Sequence, residues 1–256
     1  MSDVAIHDIL LLTLNNPHGE NRRGDIRSSG GVFCSQISDA LLKLEKVPNG
    51  TTKYAGFIAD IVPFSPSRDI ENVPKIIGYA STVKFIPKDD PLSTESQDEK
   101  RGFKAGTHWV DHTDANTVVL LDQPRGQKCA ILGGIMALRM KVRGAKGAVV
   151  NGRVRDLAEL RSLGFPVWAK GTSTVGTGAE AKAAMRNVPI SVDGVTVCPG
   201  DVLFCDPLEG VVRIPNGLIH DILELMPKLI AADDKVKADV LNGSTVFEAF
   251  KKHRGS

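Results

Sequence analysis

Two short clusters hold the residue types best suited to chemistry. Gly133-Gly134-Ile135-Met136 comes first, and twenty residues separate Gly134 from Arg155-Asp156. Paired glycines at a helix start let the backbone approach a ligand closely. The free N–H groups of that first turn can receive a carboxylate. Arg155 offers a planar fork for a carboxylate or an oxyanion. Asp156 offers hard oxygen to a divalent cation. The plain structural alternative gives Asp156 the role of helix cap and Arg155 that of a surface ion-pair partner. Other candidates are weaker. His108-Trp-Val-Asp-His112 spaces two imidazoles as a helical metal pair would, yet the residues around them disfavour a helix. Cys205-Asp206 has no histidine partner visible in sequence, which suits a buried strand better than a nucleophile. His220 reads as a capping or surface residue.

These clusters need elements that return the chain twice to one edge of a sheet. From residue 117 the pattern supplies them. Thr117–Leu121, Gly147–Val150 and Phe165–Trp168 read as strands, and Ile131–Val142 and Asp156–Leu163 as helices between them. Single helices between strands imply parallel pairing with right-handed crossovers. Both clusters then fall at the carboxyl ends of parallel strands, where α/β proteins bind ligands. Upstream, Ile37, Ala40, Leu41 and Leu44 form one helical face. Pro63, Pro66 and Pro74 break the next stretch, and Gly78–Ile86 alternates as a strand. Asp193-Gly194 marks a hairpin between Ile190–Val192 and Val195–Val197. Pro199-Gly200-Asp201 makes a turn before the strands Val202–Cys205 and Val211–Ile214. Two helices, Leu218–Leu229 and Ser244–Lys252, follow. Residues 15–31 and the polar stretch 87–106 read as loops, the latter a solvated insertion.

Composition narrows the classes. The chain of 256 residues is 42% hydrophobic and 24% charged, ordinary globular usage. Aromatics at 5% give no base-stacking platform, and a net charge of +2 gives no general pull toward nucleic acid or anionic membrane. Leu10-Leu11-Leu12 is far shorter than the ~20 residues of a membrane span. The four cysteines are scattered, so reduced thiols in a cytoplasmic protein are expected.

Taken together, the segment Gly133–Met136 and Arg143–Glu159 resembles the RraA-like family. This family includes the class II 4-hydroxy-4-methyl-2-oxoglutarate / 4-carboxy-4-hydroxy-2-oxoadipate aldolases. Its signature is a glycine or acid, twenty residues, Arg-Asp and, in the RraA-like branch, two residues and an acid. Gly134, Arg155, Asp156 and Glu159 fit that branch. Ile37–Leu41, Gly78–Val83, Phe165–Val167, Pro199–Asp206 and Gly210–Val212 match in order. The insertion and the C-terminal helices resemble longer fungal-type members, with a single RraA-like domain over 1–256, an N-terminal extension over 1–34 and C-terminal helices over 216–256.

The resemblance implies an α/β fold: an αββα sandwich with a mixed central sheet, related to swivelling phosphohistidine-type domains. It implies a homotrimer, or a hexamer of two trimers, with sites between subunits. It implies Mg²⁺ or Mn²⁺ as cofactor and a small 2-oxo acid as substrate. Asp156 would ligate the metal, Arg155 would bind the keto or enolate oxygen, and the amides around Gly133, Gly134, Ile135 and Met136 would bind the carboxylate. Asp39 and Glu209 are candidate acids from a neighbouring subunit. Aldolases of the family often carry Asp at the position of Gly134, so this chain points toward oxaloacetate decarboxylation, which needs no base on a hydroxyl. The alternative implied by the same resemblance is a binding protein that regulates an RNA-degrading enzyme. Phosphoryl transfer through histidine ranks lower, because no histidine lies in a glycine-rich loop.

Overall fold

A computed structural model describes residues 33–46, 54–66, 75–98 and 100–255. The described chain divides into two compact units, Gly56–Asn216 and the segments before and after it. The readings over residues 15–31 and at Pro74 lie outside the described residues.

The larger unit is built on a nine-stranded sheet. Its strands are β1 (Phe57–Ile58), β2 (Val62–Ser65), β3 (Ile76–Pro87), β4 (Thr117–Asp122), β5 (Gly147–Val154), β6 (Val167–Thr172), β7 (Ala181–Arg186), β10 (Val202–Asp206) and β11 (Gly210–Ile214). The order is β1-β11-β10-β3-β4-β5-β6-β2, with β7 also pairing with β3. β3 to β6 run parallel, and every other pairing in this sheet is antiparallel. The expected mixed α/β sheet is thus present. α2 (Gly134–Val142) joins β4 to β5, and α3 (Leu157–Leu163) joins β5 to β6.

Strand alternation decides what covers each face. Val119 and Leu121 of β4, Ala148 and Val150 of β5, and Val167 and Ala169 of β6 point into one core with Ala137 and Met140 of α2 and Leu160 of α3. Val118, Leu120, Val149 and Trp168 point into the other. Val192, Val195 and Val197 close that second face from the hairpin β8 (Ile190–Val192) and β9 (Val195–Val197). Pro63 is tolerated because, among the described residues, β2 is an edge strand pairing only with β6.

Two readings shift. Ile131 and Leu132 have apolar helical spacing, yet they precede the helix. Leu132 forms a parallel bridge with Val154, and α2 begins at Gly134. The 87–106 stretch is more than solvated loop. Arg186 N–H donates to Arg101 O at 2.6 Å, its Nε donates to Gly102 O at 3.3 Å, and Phe103 packs on the core.

The smaller unit contains α1 (Cys34–Leu44), α4 (Ile219–Leu241) and α5 (Val246–Arg254). Ile37, Ala40 and Leu41 are buried, as their spacing requires. α4 runs well past the expected end at Leu229 and carries Pro227 inside it. Asp239 of α4 holds Lys252 and His253 of α5 at 2.9 and 2.8 Å. The four cysteines form no disulfide. Among the described residues, no helix is long and apolar enough to cross a membrane.

Asp122 closes β4 and accepts a hydrogen bond from Asn151 Nδ2 at 2.7 Å. Burial pushes its carboxyl above the ordinary value, against the pull of that bond and of Lys84. A raised folded-state pKa means that the charged form is the one the fold disfavours. Asp122→Asn keeps the acceptor and removes the half-buried charge. We predict a higher melting temperature at about pH 7, with the gain fading as pH falls into the carboxylate range near ~4. Thermal denaturation across that range checks it.

Candidate active site

The segment before α2 is laid against the end of β5. Ile131 N–H donates to Arg153 O at 2.9 Å, and Arg155 N–H donates to Leu132 O at 3.0 Å. This pairing sets Gly133-Gly134 directly opposite Arg155-Asp156. Gln123, buried, braces it: its Nε2 donates to Cys129 O at 2.7 Å and its Oε1 accepts from Arg153 N–H at 2.9 Å. Glu180 holds the preceding loop, accepting from the Lys128 and Cys129 N–H groups at 2.7 and 2.6 Å. Those bonds keep its carboxyl below the ordinary value.

Asp156 occupies the cap position of α3 but makes no side-chain capping bond. Its backbone is left-handed, φ 59° and ψ 44°. Asp tolerates that region better than most residues, at a cost of about 1–3 kcal/mol. The turn swings the carboxylate back toward α2, where Oδ2 accepts from Gly134 N–H at 3.2 Å. Arg155 Nε stands 3.4 Å from the same oxygen. The Arg155 guanidinium lies against Gly176, where an added Cβ would meet Nη1 at 2.9 Å.

Both glycines are required for clearance rather than for unusual dihedrals. Gly133 is extended, with φ −141°. A Cβ there would stand 2.6 Å from Asp156 Oδ2. A Cβ on Gly134 would overlap the Glu159 carboxylate and stand 2.9 Å from Glu159 Cβ. Glu159 therefore fills the space beside Gly134.

Gly133, Ile135, Met136, Arg155 and Asp156 line one cleft of about 480 Å³. Gly134 is buried and does not line it. Its amide is committed to Asp156, so Ile135 and Met136 are the first-turn donors left for an anion. Phe85, Trp109, Thr177 and Lys182 complete much of the wall, with His108. Lys182 and Thr177 come from a part of the chain that sequence reasoning did not link to the site.

The histidine pair does not form a metal site. Trp109–His112 is a single 3-10 turn, and His108 Nδ1 caps it, accepting from Val110 N–H at 3.4 Å. His112 Nε2 lies 2.9 Å from Thr107 Oγ1, and burial with the nearby Arg186 charge lowers its pKa. Cys205 is a buried strand residue in β10. Glu209 sits in the β10–β11 turn, where its N–H donates to Asp206 Oδ1 at 3.3 Å. Asp39 is exposed on α1.

The family model for Aldolase/RraA matches residues 35–213. The chain belongs to the RraA-like family. Protein DlpA of Legionella pneumophila is 28% identical over 177 residues, which cover 68% of this chain and 27% of DlpA. A Halalkalibacterium halodurans protein named "Putative 4-hydroxy-4-methyl-2-oxoglutarate aldolase" is 33% identical over 133 residues, 52% of this chain and 62% of that one. The chain thus matches less than two thirds of either relative's length. Among solved structures, an uncharacterized protein from Pseudomonas syringae pv. tomato superposes with a TM-score of 0.68 at 19% identity, covering 98% of this chain and 95% of that one. Streptomyces coelicolor RraAS2, titled a member of the RNase ES inhibitor RraA protein family, superposes at 0.53 with 23% identity, covering 73% and 83%. Both show the RraA-like fold.

The packing of Glu159 on Gly134 yields a prediction. Gly134→Ala should cost about 1–3 kcal/mol, the usual penalty of forcing extra volume into packed space. In a Glu159→Ala background the cost should fall by at least about half, a coupling of roughly 0.5 kcal/mol or more. Denaturant unfolding of the two single variants and the double variant measures it, and additive costs would refute the contact.

Proposed function

We propose that the protein is a divalent-metal-dependent carbon–carbon lyase acting on small 2-oxo acids and releasing pyruvate. The observation that carries this reading is the convergence of the Ile135 and Met136 amides, Arg155 and Asp156 on one cleft. The name of the Halalkalibacterium relative supports the same direction.

The donor set suits Mg²⁺ or Mn²⁺. Asp156 presents a carboxylate to the cleft, and such ions commonly take one or two carboxylates and fill the rest of their shell with water. Bound there, the ion would supply Lewis-acid polarisation of the keto oxygen. The protein's own groups do the remainder. The two free amides hold the substrate carboxylate at the positive end of α2. Arg155 faces the keto oxygen and stabilises the negative charge that develops on it. In oxaloacetate the bond to the far carboxyl breaks, carbon dioxide leaves, and the electron pair passes into the pyruvate enolate. The enolate then takes a proton at carbon.

Retro-aldol cleavage additionally needs a base on the substrate hydroxyl. Glu159 supplies a carboxylate beside Gly134, the position where aldolases of the family often carry Asp. A bare position 134 is therefore compatible with aldol cleavage as well. We assign Glu159 as the base, with decarboxylation and retro-aldol cleavage both open to the site. The assembly we propose is a homotrimer or hexamer in the cytoplasm, with Asp39 and Glu209 as candidate acids toward a neighbouring copy.

Pyruvate release from oxaloacetate and from 4-hydroxy-4-methyl-2-oxoglutarate, with Mg²⁺ or Mn²⁺, tests the reading. Asp156→Asn should abolish both activities. Arg155→Lys should lower turnover at least about tenfold, roughly 1.4 kcal/mol of transition-state stabilisation. Glu159→Gln should depress aldol cleavage about 10²-fold or more, the lower range for a lost general base, and decarboxylation far less. Wild-type protein inactive on both substrates would instead favour a binding protein that regulates an RNA-degrading enzyme.

A further inference from the structure

The loop over residues 123–133 borders two clefts. Phe85, Trp109 and Met136 of the candidate active site belong to the first core or pack on it, on the face of the sheet covered by α2 and α3. A second cleft of about 200 Å³ lies at the ends of the same strands and shares no residue with the first. Arg125, Asn151, Gly152, Arg153, Lys170 and Gly171 line it. Strand alternation places it on the opposite face. Val154 belongs to the first core, so Arg153 beside it points away from α2 and α3. Trp168 belongs to the second core, and Lys170, two residues on, points the same way.

Hydrogen bonds fix where the cationic groups end. Arg153 Nη1 donates to Thr172 O at 2.9 Å, and a Cβ added to Gly171 would stand 3.1 Å from it. The guanidinium therefore lies over bare backbone of the cleft. Lys170 Nζ and Arg125 Nη2 both reach Asp193, in the turn of the β8–β9 hairpin, Arg125 at 2.8 Å. Asn151 donates to Asp122, whose carboxyl also feels the charges of Lys84, Lys170 and Arg125. Four cations, Lys84, Arg125, Arg153 and Lys170, thus gather around two carboxylates, Asp122 and Asp193, an excess of two positive charges. Among the described residues Arg153 has no carboxylate partner.

Guanidinium forks and a lysine ammonium are the groups that proteins turn on phosphate. A carboxylate would balance one of the two surplus charges, and a phosphate dianion balances both. We propose that this second cleft binds a phosphate dianion, free or as the terminal group of a small monoester. Arg153 and Lys170 are its main ligands, and the exposed Arg125 closes the mouth. Asp193 competes with the phosphate for Lys170 and Arg125. The site stands apart from the 2-oxo acid reading, and its failure leaves that reading untouched.

Calorimetry with inorganic phosphate and with glycerol 3-phosphate tests the site, at low ionic strength and without divalent metal. Arg153→Met and Lys170→Met should each raise the Kd of the bound ligand at least about tenfold. Asp193→Asn should lower it about threefold or more, because the competing charge is gone. Its left-handed backbone, φ 46°, suits Asn, and poor folding cannot imitate tighter binding. Arg155→Met reports on the candidate active site, the other place with donors for an anion, and should leave the Kd within about twofold of wild type. The ligand with the lower wild-type Kd shows whether the free ion or the monoester is preferred. Failure of wild type to bind either ligand overturns the proposal. So does a Kd that moves with Arg155→Met but not with Arg153→Met or Lys170→Met, which would put the phosphate in the candidate active site. An unchanged or raised Kd in Asp193→Asn overturns it as well.

Discussion

The site depends on a short backbone pairing that is easily overlooked in a large sheet. Ile131 N–H to Arg153 O and Arg155 N–H to Leu132 O extend the parallel ladder by a few residues beyond β5's neighbours. Everything chemical follows from that register. The chain leaves Leu132, turns into α2, crosses back through β5, and arrives beside its starting point. A helix of nine residues and a strand of eight, with their joining turn, take up the interval between Gly134 and Arg155. The spacing therefore reflects the length of one complete helix-and-strand return. A slip of one residue would turn Arg155 and Asp156 away from the glycines, because strand side chains alternate.

Once the two segments are opposed, space becomes the limiting quantity. Asp156 Oδ2, Arg155 and the Glu159 carboxylate crowd the start of α2, and they fit because positions 133 and 134 have no side chains. The left-handed turn at Asp156 belongs to the same economy. An ordinary helix cap would aim the carboxylate along α3, at that helix's own amides. The left-handed turn instead aims it across the gap, to Gly134 N–H. Local strain is exchanged for placement of a charged group at the rim of the cleft. Gln123 and Glu180 keep the opposing loop from relaxing that strain, since each binds backbone on the 128–130 side or on β5.

Much of the scaffold was legible in the sequence because its signals are local. Alternating β-formers marked β3, short apolar runs between helical stretches marked β4 to β6, the Asp193-Gly194 pair marked the β8–β9 hairpin, and glycines beside an Arg-Asp pair marked the two clusters. The misses share a cause. Ile131 and Leu132 carry helical spacing, but a parallel partner distant in sequence makes them strand-like. His108 and His112 carry a metal-like spacing, but their turn is 3-10, where i and i+4 no longer share a face. The roles of Gln123, Glu159 and Glu180 arise from contacts across many intervening residues. No local periodicity encodes those contacts.

The exchange between positions 134 and 159 shows how chemistry can vary on this fold at little structural cost. On the proposed retro-aldol reading a carboxylate is needed close to the start of α2, and two routes reach that place. One is a side chain growing directly from position 134. The other comes from the first turn of α3, one helical turn beyond Arg155-Asp156, and requires position 134 to be bare. The two routes compete for the same volume, as the overlap between a Cβ on Gly134 and the Glu159 side chain shows. They also differ in how firmly the base is held. A carboxylate on a short side chain at the buried start of α2 would have few rotamers. Glu159 is exposed on α3 and reaches inward on a longer, more flexible stem. The glycine route thus places the carboxylate that we propose as the base against bare backbone, and filling that space moves the carboxylate.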